Sequence, residues 1–397
     1  MKLLKNIFHI DHFIITVLSF VQLYVLGLIV FNIDFLNPIS KALDEYSITD
    51  VFFDIEHSAG APTTNDMITL VDMTELRDRS EIADMLNNVS MQDPICMGVD
   101  IIFEGTKQDS LGNSMLFDVV SGISSKTVFG NKLIDYDSEA EGFGKQITSF
   151  FTKNIPVKQG FCNLTDNMQG SCIREFSVKQ NYAGEERVSF PVAIAQLVSD
   201  KYEVPEDENY LINYENTKFP VVKYSEIEEK SDLIEGHIVL IGTMGEEEDM
   251  HNSPLGKISG LEIQAYTLLT ILNHEDLTKA PVWVNIVIGF VICFLLELMI
   301  SSIELFISRH QGTVFMSFIQ ESNLLIVIFL FLCMAFMCWV TFYSFIRYNY
   351  ILDGGLILAL MALVCESRDI YHAIVVSLGT KYHWKWIENS IMNDQEV

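Results

Sequence analysis

Asp72, Asp100 and Asp249 are the carboxylates best placed for chemistry. Asp72 closes a short apolar run that reads as a strand, Asp100 lies within a longer one, and Asp249 follows a third. Ligands of open α/β sheets gather outside the C-terminal ends of strands. Three carboxylates there suit a cationic ligand or a cation, with Asp100 and Asp249 as the candidate metal pair. The alternative is that each caps a helix or fixes a turn through its own side chain. Gly242-Thr-Met-Gly245 superficially resembles a phosphate loop, yet it lacks the lysine of such loops. Glu246-Glu-Glu-Asp249 follows at once and would repel an anion. The nine histidines show no zinc-protease spacing, the seven cysteines include no Cys-x-x-Cys pair, and no catalytic-triad motif is evident. The expectation is a protein without catalytic residues or cofactor, and not an enzyme.

These residues need a scaffold, and the region between Asp34 and Pro281 supplies one. Met67–Val71 reads as a strand, Ser80–Val89 as a helix on the spacing of Ile82, Met85, Leu86 and Val89, and Ile95–Phe103 as a second strand. Ser110–Ile123 follows as a helix and Thr127–Phe129 as a strand. Tyr136–Lys158 reads as an irregular surface insertion, and Gly160-Phe161 with Cys172–Phe176 as a hairpin. Phe190–Val198 has helical spacing, with Ser189 as candidate cap and Pro191 in the first turn. Strands at Tyr210–Tyr214 and His237–Ile241 and a closing helix at Gly260–Asn273 complete the series. The fold class expected is α/β: a mixed, largely parallel sheet with flanking helices.

The formal charge is −28, yet 49% of the chain is hydrophobic, which excludes a disordered acidic chain. The acidic excess is concentrated between Asp34 and Pro281, and no basic patch offers a surface for nucleic acid. The apolar excess lies in four stretches expected to cross a membrane: residues 13–33, 282–303, 323–345 and the shorter 351–366. The first is read as a retained anchor because no small-residue cleavage pattern follows it. Lys2, Lys5, Arg309, Arg368, Lys381 and Lys385 fall on one side, which the positive-inside bias makes cytoplasmic. Residues 1–12, 304–322 and 367–397 are then cytoplasmic, 346–350 form an external loop, and 34–281 are exported. Cys162 and Cys172 flank a turn-rich stretch and are candidate disulfide partners in an oxidising compartment. Glu297 is the one charge inside the second span, a functional candidate by its cost in lipid, or a residue at a helix end leaving the bilayer.

Taken in order, several landmarks resemble the extracellular sensory domain family called CHASE type two (CHASE2). They are Leu70-Val-Asp72, Met97-Gly-Val-Asp100-Ile-Ile-Phe103, Gly160-Phe-Cys-Asn163, Gly170, Arg174, Ser189-Phe-Pro-Val-Ala-Ile-Ala195 and Asn213-Tyr214. Beyond these come Leu233–Gly242, Asp249, Ser253-Pro254 and Gly260–Ala265. The resemblance implies an exported bacterial sensor domain whose ligand is undefined, followed by three hydrophobic spans. Members usually carry a kinase or cyclase as output, whereas only 32 residues follow Cys365. The expectation is a multi-pass protein of the bacterial inner membrane, with a periplasmic domain and both termini cytoplasmic. It would bind a small-molecule or cation ligand, or sense envelope state, and relay this through its helices to a separate cytoplasmic signalling protein, plausibly as a homodimer. The Lys381–Trp386 tail is a candidate membrane anchor or partner contact. The alternative is a non-switching structural subunit of an envelope complex.

Overall fold

The computed structural model describes residues 9–32, 48–139, 141–164, 172–199, 202–205, 209–245, 247–273, 277–309, 323–379 and 390. Asn37–Tyr46, whose sequence reads as a helical continuation of the first apolar stretch, and the Lys381–Trp386 tail lie outside these. The chain divides into two compact units, Thr49–Leu277 and Met1–Ile48 with Thr278–Val397. Its described α-helices are α1 (Ile10–Asn32), α2 (Ile48–Ala59), α3 (Arg79–Met91), α4 (Ser110–Ile123), α5 (Phe190–Val198), α6 (Gly260–Asn273), α7 (Val282–Arg309), α8 (Leu324–Tyr348) and α9 (Gly354–Gly379).

The first unit is built on one nine-stranded sheet. Its strands are β1 (Ile68–Asp72), β2 (Cys96–Val99), β3 (Thr127–Asp137), β4 (Gly142–Ile147), β5 (Lys158–Phe161), β6 (Lys179–Tyr182), β7 (Glu185–Val188), β8 (Val221–Lys223) and β9 (Ile238–Gly242). The order is β8-β1-β9-β2-β3-β4-β6-β7, with β5 also paired to β3. Six strands, β8, β1, β9, β2, β3 and β5, run parallel. The late strand β9 lies between β1 and β2, so Gly242 is in register with Asp72, and Ile241 with Val99. Parallel strands need both faces covered, which is why β1, β2 and β9 are almost wholly buried. One face carries Val71, Met97, Val99, Phe129, Val239 and Ile241 against Leu86 and Val89 of α3 and Leu116 and Val120 of α4. On the other, Phe190 and Ile194 of α5 occupy the space that a side chain at Gly98 would need.

Several expected elements are present with shifted ends, and three expectations are corrected. Strand β2 stops at Val99 and does not run through Asp100 to Phe103. Past that point Arg79 holds the chain by donating to the carbonyls of Glu104 (3.2 Å) and Gly105 (2.8 Å), with Phe150 against its guanidinium. Tyr136–Lys158 is not an irregular insertion. It contains β4, antiparallel to a long β3, and a 3-10 turn at Phe150–Lys153 that buries Phe151 against Phe129. The expected hairpin does not form either: β5 joins β3 in parallel, while Glu175–Ser177 pairs with Asn209–Leu211. Residues 165–171, most of the turn-rich stretch between them, lie outside the described residues. Ser189 sits at the start of α5 but makes no side-chain cap bond, whereas Pro191 is in the first turn.

In the second unit, three described helices rather than the expected four are long and apolar enough to cross a membrane: Ile10–Val30, Val282–Ile307 and Leu324–Tyr348. The fourth stretch, 351–366, does form a helix, α9, but it continues through Glu366, Arg368 and Asp369. Its Ile357, Leu360, Met361, Val364, Ser367, Arg368, Tyr371 and Val375 form a buried stripe. Ile15 of α1 meets Tyr371 and Val375, and Cys293 and Ile300 of α7 meet Leu360 and Val364. Ser367 and Arg368 are thus turned inward, whereas Glu366 and Asp369 stay exposed, and these charges lower the average hydropathy of α9.

Candidate functional site

The C-terminal edge of the parallel sheet brings four chain segments together. The backbone N–H of Asp100, one residue past β2, donates to Ile241 O (2.9 Å), which aligns it beside the end of β9. Its carboxyl faces Cys162, which follows β5 and whose N–H donates to Asn131 O (2.8 Å). A Cβ at Gly130 would fall 2.6 Å from Cys162 Sγ and 3.4 Å from Asp100 Oδ1, so only glycine leaves room for this pair. Asp249 comes from the segment after β9, where its Oδ2 accepts from Thr243 Oγ1 (3.1 Å) and its Oδ1 lies 3.9 Å from His251 Nε2. Gly260, the first residue of α6, would place a Cβ 3.0 Å from that same oxygen. Gln264, one turn further along α6, donates to Cys162 O (3.3 Å). Asp100, Cys162 and Asp249 therefore share one edge, set by the insertion of β9 and by two glycines.

Electrostatics distinguishes the members. Burial raises the Asp100 carboxyl from 3.8 to about 6; the Cys162 hydrogen bond pulls it down, and the charge of Asp249 adds to the rise. The Cys162 thiol is pushed well above its ordinary value by burial and by the adjacent Asp100. It therefore stays protonated as the donor to Asp100, the opposite of an activated nucleophile. In the folded protein Cys162 is expected to resist iodoacetamide at mildly alkaline pH and to react fully once denatured. Rapid modification of the native chain at Cys162, read by mass spectrometry, would contradict this arrangement.

Asp72 is fixed differently. Its Oδ1 accepts from the N–H (2.9 Å) and Oγ1 (2.5 Å) of Thr74, and Thr74 Oγ1 in turn accepts from Met244 N–H (2.9 Å). This is the turn-fixing role, and it also clamps the Gly242–Gly245 loop. No group of three or more His, Cys, Asp or Glu side chains among the described residues is arranged to hold a metal ion, so the Asp100–Asp249 pair gains no third ligand there. The candidate disulfide is not formed, as both cysteines are free thiols. Cys162 is committed to Asp100, whereas Cys172 lies in the field of Arg174 and Asp50 and is raised to about 11, chiefly by burial.

A model of the CHASE2 domain matches residues 23–303, well over half of the chain. The chain belongs to the CHASE2 family. No curated protein and no solved structure matches it. Within this CHASE2 domain the landmark Arg174 has a definite task. Its Nε donates to Asp50 Oδ1 (2.9 Å) and Nη2 to Oδ2 (2.6 Å), a forked pair that ties α2 to the domain. Tyr214, another landmark, is fully buried, donates to Ile173 O (2.9 Å) and packs edge-on against Phe53 of α2. His57 Nε2 approaches the Tyr214 carbonyl at 3.0 Å. Within the CHASE2 match, α2 is thus docked by charge, ring and hydrogen bond.

Glu297 is wholly buried within α7. It is not at a helix end, since α7 continues to Arg309. Its Oε1 accepts from Arg368 Nη1 and from Ser301 Oγ (3.2 Å) and lies 3.3 Å from His12 Nδ1. Arg368 Nη2 reaches Glu304 Oε2. Nearby, Asp11 accepts from Tyr371 OH (2.8 Å) and Ser390 Oγ (2.9 Å), and Ser19 Oγ donates to Ser367 Oγ (2.8 Å). The polar residues of α1, α7 and α9 thus gather in three hydrogen-bonded groups, centred on Glu297, Asp11 and Ser367. Sequence reading singled out Glu297 but not His12 or Arg368 as its partners, because nothing in their spacing along the chain ties them together.

Proposed function

We propose that this protein is a membrane-anchored sensor whose exported CHASE2 domain takes a small organic cation at the Asp100–Asp249 edge and relays its occupancy to a separate cytoplasmic protein. The reading rests on Asp100. A half-buried carboxyl raised to about 6, beside a second carboxylate, is costly unless a cation is drawn to it. The absence of a three-ligand metal group among the described residues favours an amine or guanidinium over a bare divalent ion. The protonated Cys162 favours binding over covalent chemistry, in keeping with a non-enzymatic, cofactor-free role. The family's sensory, extracellular character supports placing the domain outside the membrane. Lys2 and Lys5 ahead of the first span support a cytoplasmic N-terminus in a bacterial inner membrane. A homodimer and a signalling partner complete the proposal.

The test is thermal melting of the full chain in lipid nanodiscs with putrescine, spermidine and arginine. A native-state binder at a hundredfold over its Kd stabilises by about 2.7 kcal/mol. We expect a raised melting temperature for at least one amine, lost in Asp100→Asn and Asp249→Asn. A shift of wild-type size in both variants would displace the site. No shift with any amine, together with co-purification in a stoichiometric envelope complex, would favour the structural-subunit alternative.

A further inference from the structure

The network around Glu297 is unevenly satisfied. Oε1 gathers Arg368, Ser301 and His12, whereas Oε2, equally enclosed, has no hydrogen-bond partner. A buried carboxylate oxygen without a donor is expensive, and most such oxygens are paired. The guanidinium that could serve it is divided: Nη1 goes to Glu297 and to Ser301 Oγ (2.7 Å), and Nη2 goes to Glu304. Arginine and carboxylate commonly meet as two parallel hydrogen bonds, so a second arrangement is available within the same side chains. In it the fork closes on both oxygens of Glu297 and lets go of Glu304, whose side chain keeps 28% exposure and can be hydrated.

We propose that Arg368 is a two-position switch, split here between Glu297 and Glu304 and alternatively closed on Glu297. The first position divides the guanidinium between two carboxylates and leaves Glu297 Oε2 without a donor; the second gives both oxygens of Glu297 a donor and releases Glu304. His12 biases the choice because it faces the same Oε1 from α1. In sequence α1 lies before the nine-stranded sheet and α7 after it. Drawing α1 away from α7 removes the His12 contact and frees Oε1 to share in a symmetric fork. The switch is a property of the helix bundle alone; only its use as a relay rests on the sensor reading. Two interconvertible arrangements of a few side chains are what a small input can tip.

The measurement is double electron–electron resonance on the full chain in nanodiscs without added amine. Val21→Cys on α1 and Val291→Cys on α7, both half-exposed, carry the labels in a background lacking the seven native cysteines. Glu304→Gln removes the competing carboxylate and is expected to enrich the closed position. Glu297→Gln is expected to leave Arg368 on Glu304 and to shift the distance distribution the opposite way. The ratio of the two components should change at least about fivefold between these variants. Arg368→Lys, a point charge unable to fork, should collapse the distribution to one component. Distributions identical to wild type, or shifts of one sign in both glutamate variants, would reduce the network to a static ion pair. If Glu297→Gln fails to fold, Glu304→Gln and Arg368→Lys still decide. Unaltered distances in a chain that binds amines would refute the switch while sparing the sensor; altered distances in a chain that binds none would do the reverse.

Discussion

Replacing Gly160 by alanine is expected to destabilise the exported domain by about 3 kcal/mol. A Cβ at Gly160 would stand 2.5 Å from Phe190 Cα and 2.7 Å from both Phe190 N and Ser189 O. Those are backbone atoms, so no rotamer change relieves the overlap. Phe190 opens α5, and the backbone bridge between Phe161 and Ser189 fixes the helix start against β5. Relief therefore requires α5 to lift from the sheet and to withdraw Phe190 and Ile194, both fully buried, from over Gly98. Gly122→Ala supplies the contrast: it lies in α4 with nothing within 4 Å of its would-be Cβ. In an open helical position alanine gains roughly 0.5–1 kcal/mol over glycine. Denaturant melting of the full chain in detergent, followed by circular dichroism, should therefore move the two variants in opposite directions. Equal stabilities for Gly160→Ala and wild type would mean that α5 does not rest on β5 as described.

The same contrast explains what could be read from sequence. The helices α4 and α6 were legible to the residue because capping and apolar spacing are local: Asp109 accepts from Leu111 N–H (3.1 Å) and Gly112 N–H (3.0 Å) at the start of α4. The strands β4 and β6 were not, since they are partly polar and acquire their state from neighbours distant in sequence. At the candidate site, Asp100 and Asp249 were legible as acidic residues near strand ends. Cys162 was not, because its relation to Asp100 depends on β3 and β5 lying side by side with Gly130 between. Asn163 shows how such a link is disguised. Its side chain pairs with both the N–H and the O of Leu133, each at 2.8 Å, continuing the ladder beyond β5 where turn chemistry alone indicated a loop. In the helices, the three apolar spans were evident from composition. The fourth stretch was read as ending at residue 366, which left Arg368 in the tail; its burial against Glu297 is a property of the bundle, invisible to any local window.

Asp100→Asn is expected to stabilise the protein above pH 6 by about 2 kcal/mol and to flatten its pH dependence below that. The wild-type carboxyl lies at about 6 in the folded chain against 3.8 ordinarily, so between these values the native state holds a proton that the unfolded state has lost. Stability then falls as pH rises from about 4 to about 6 and stays at the lower level beyond. The interval corresponds to about 3 kcal/mol at 1.36 kcal/mol per pH unit. The half-buried setting of the residue and the partial hydration of Asp249 reduce this to about 2. Asparagine keeps the shape and still accepts from Cys162, but it has no charge to desolvate. The wild-type minus variant difference, measured by denaturant melting at a series of pH values, isolates this one group from the many exposed carboxylates that titrate in both proteins. Asp249→Asn should recover only part of the gain, because burial rather than the neighbouring charge is the larger cause. A variant less stable than wild type at neutral pH would show that the carboxylate is already compensated and would remove the electrostatic ground for a cation site. A variant more stable yet unresponsive to amines would tie the cost of Asp100 to its use: a charge held in a poor environment until a cation arrives to neutralise it.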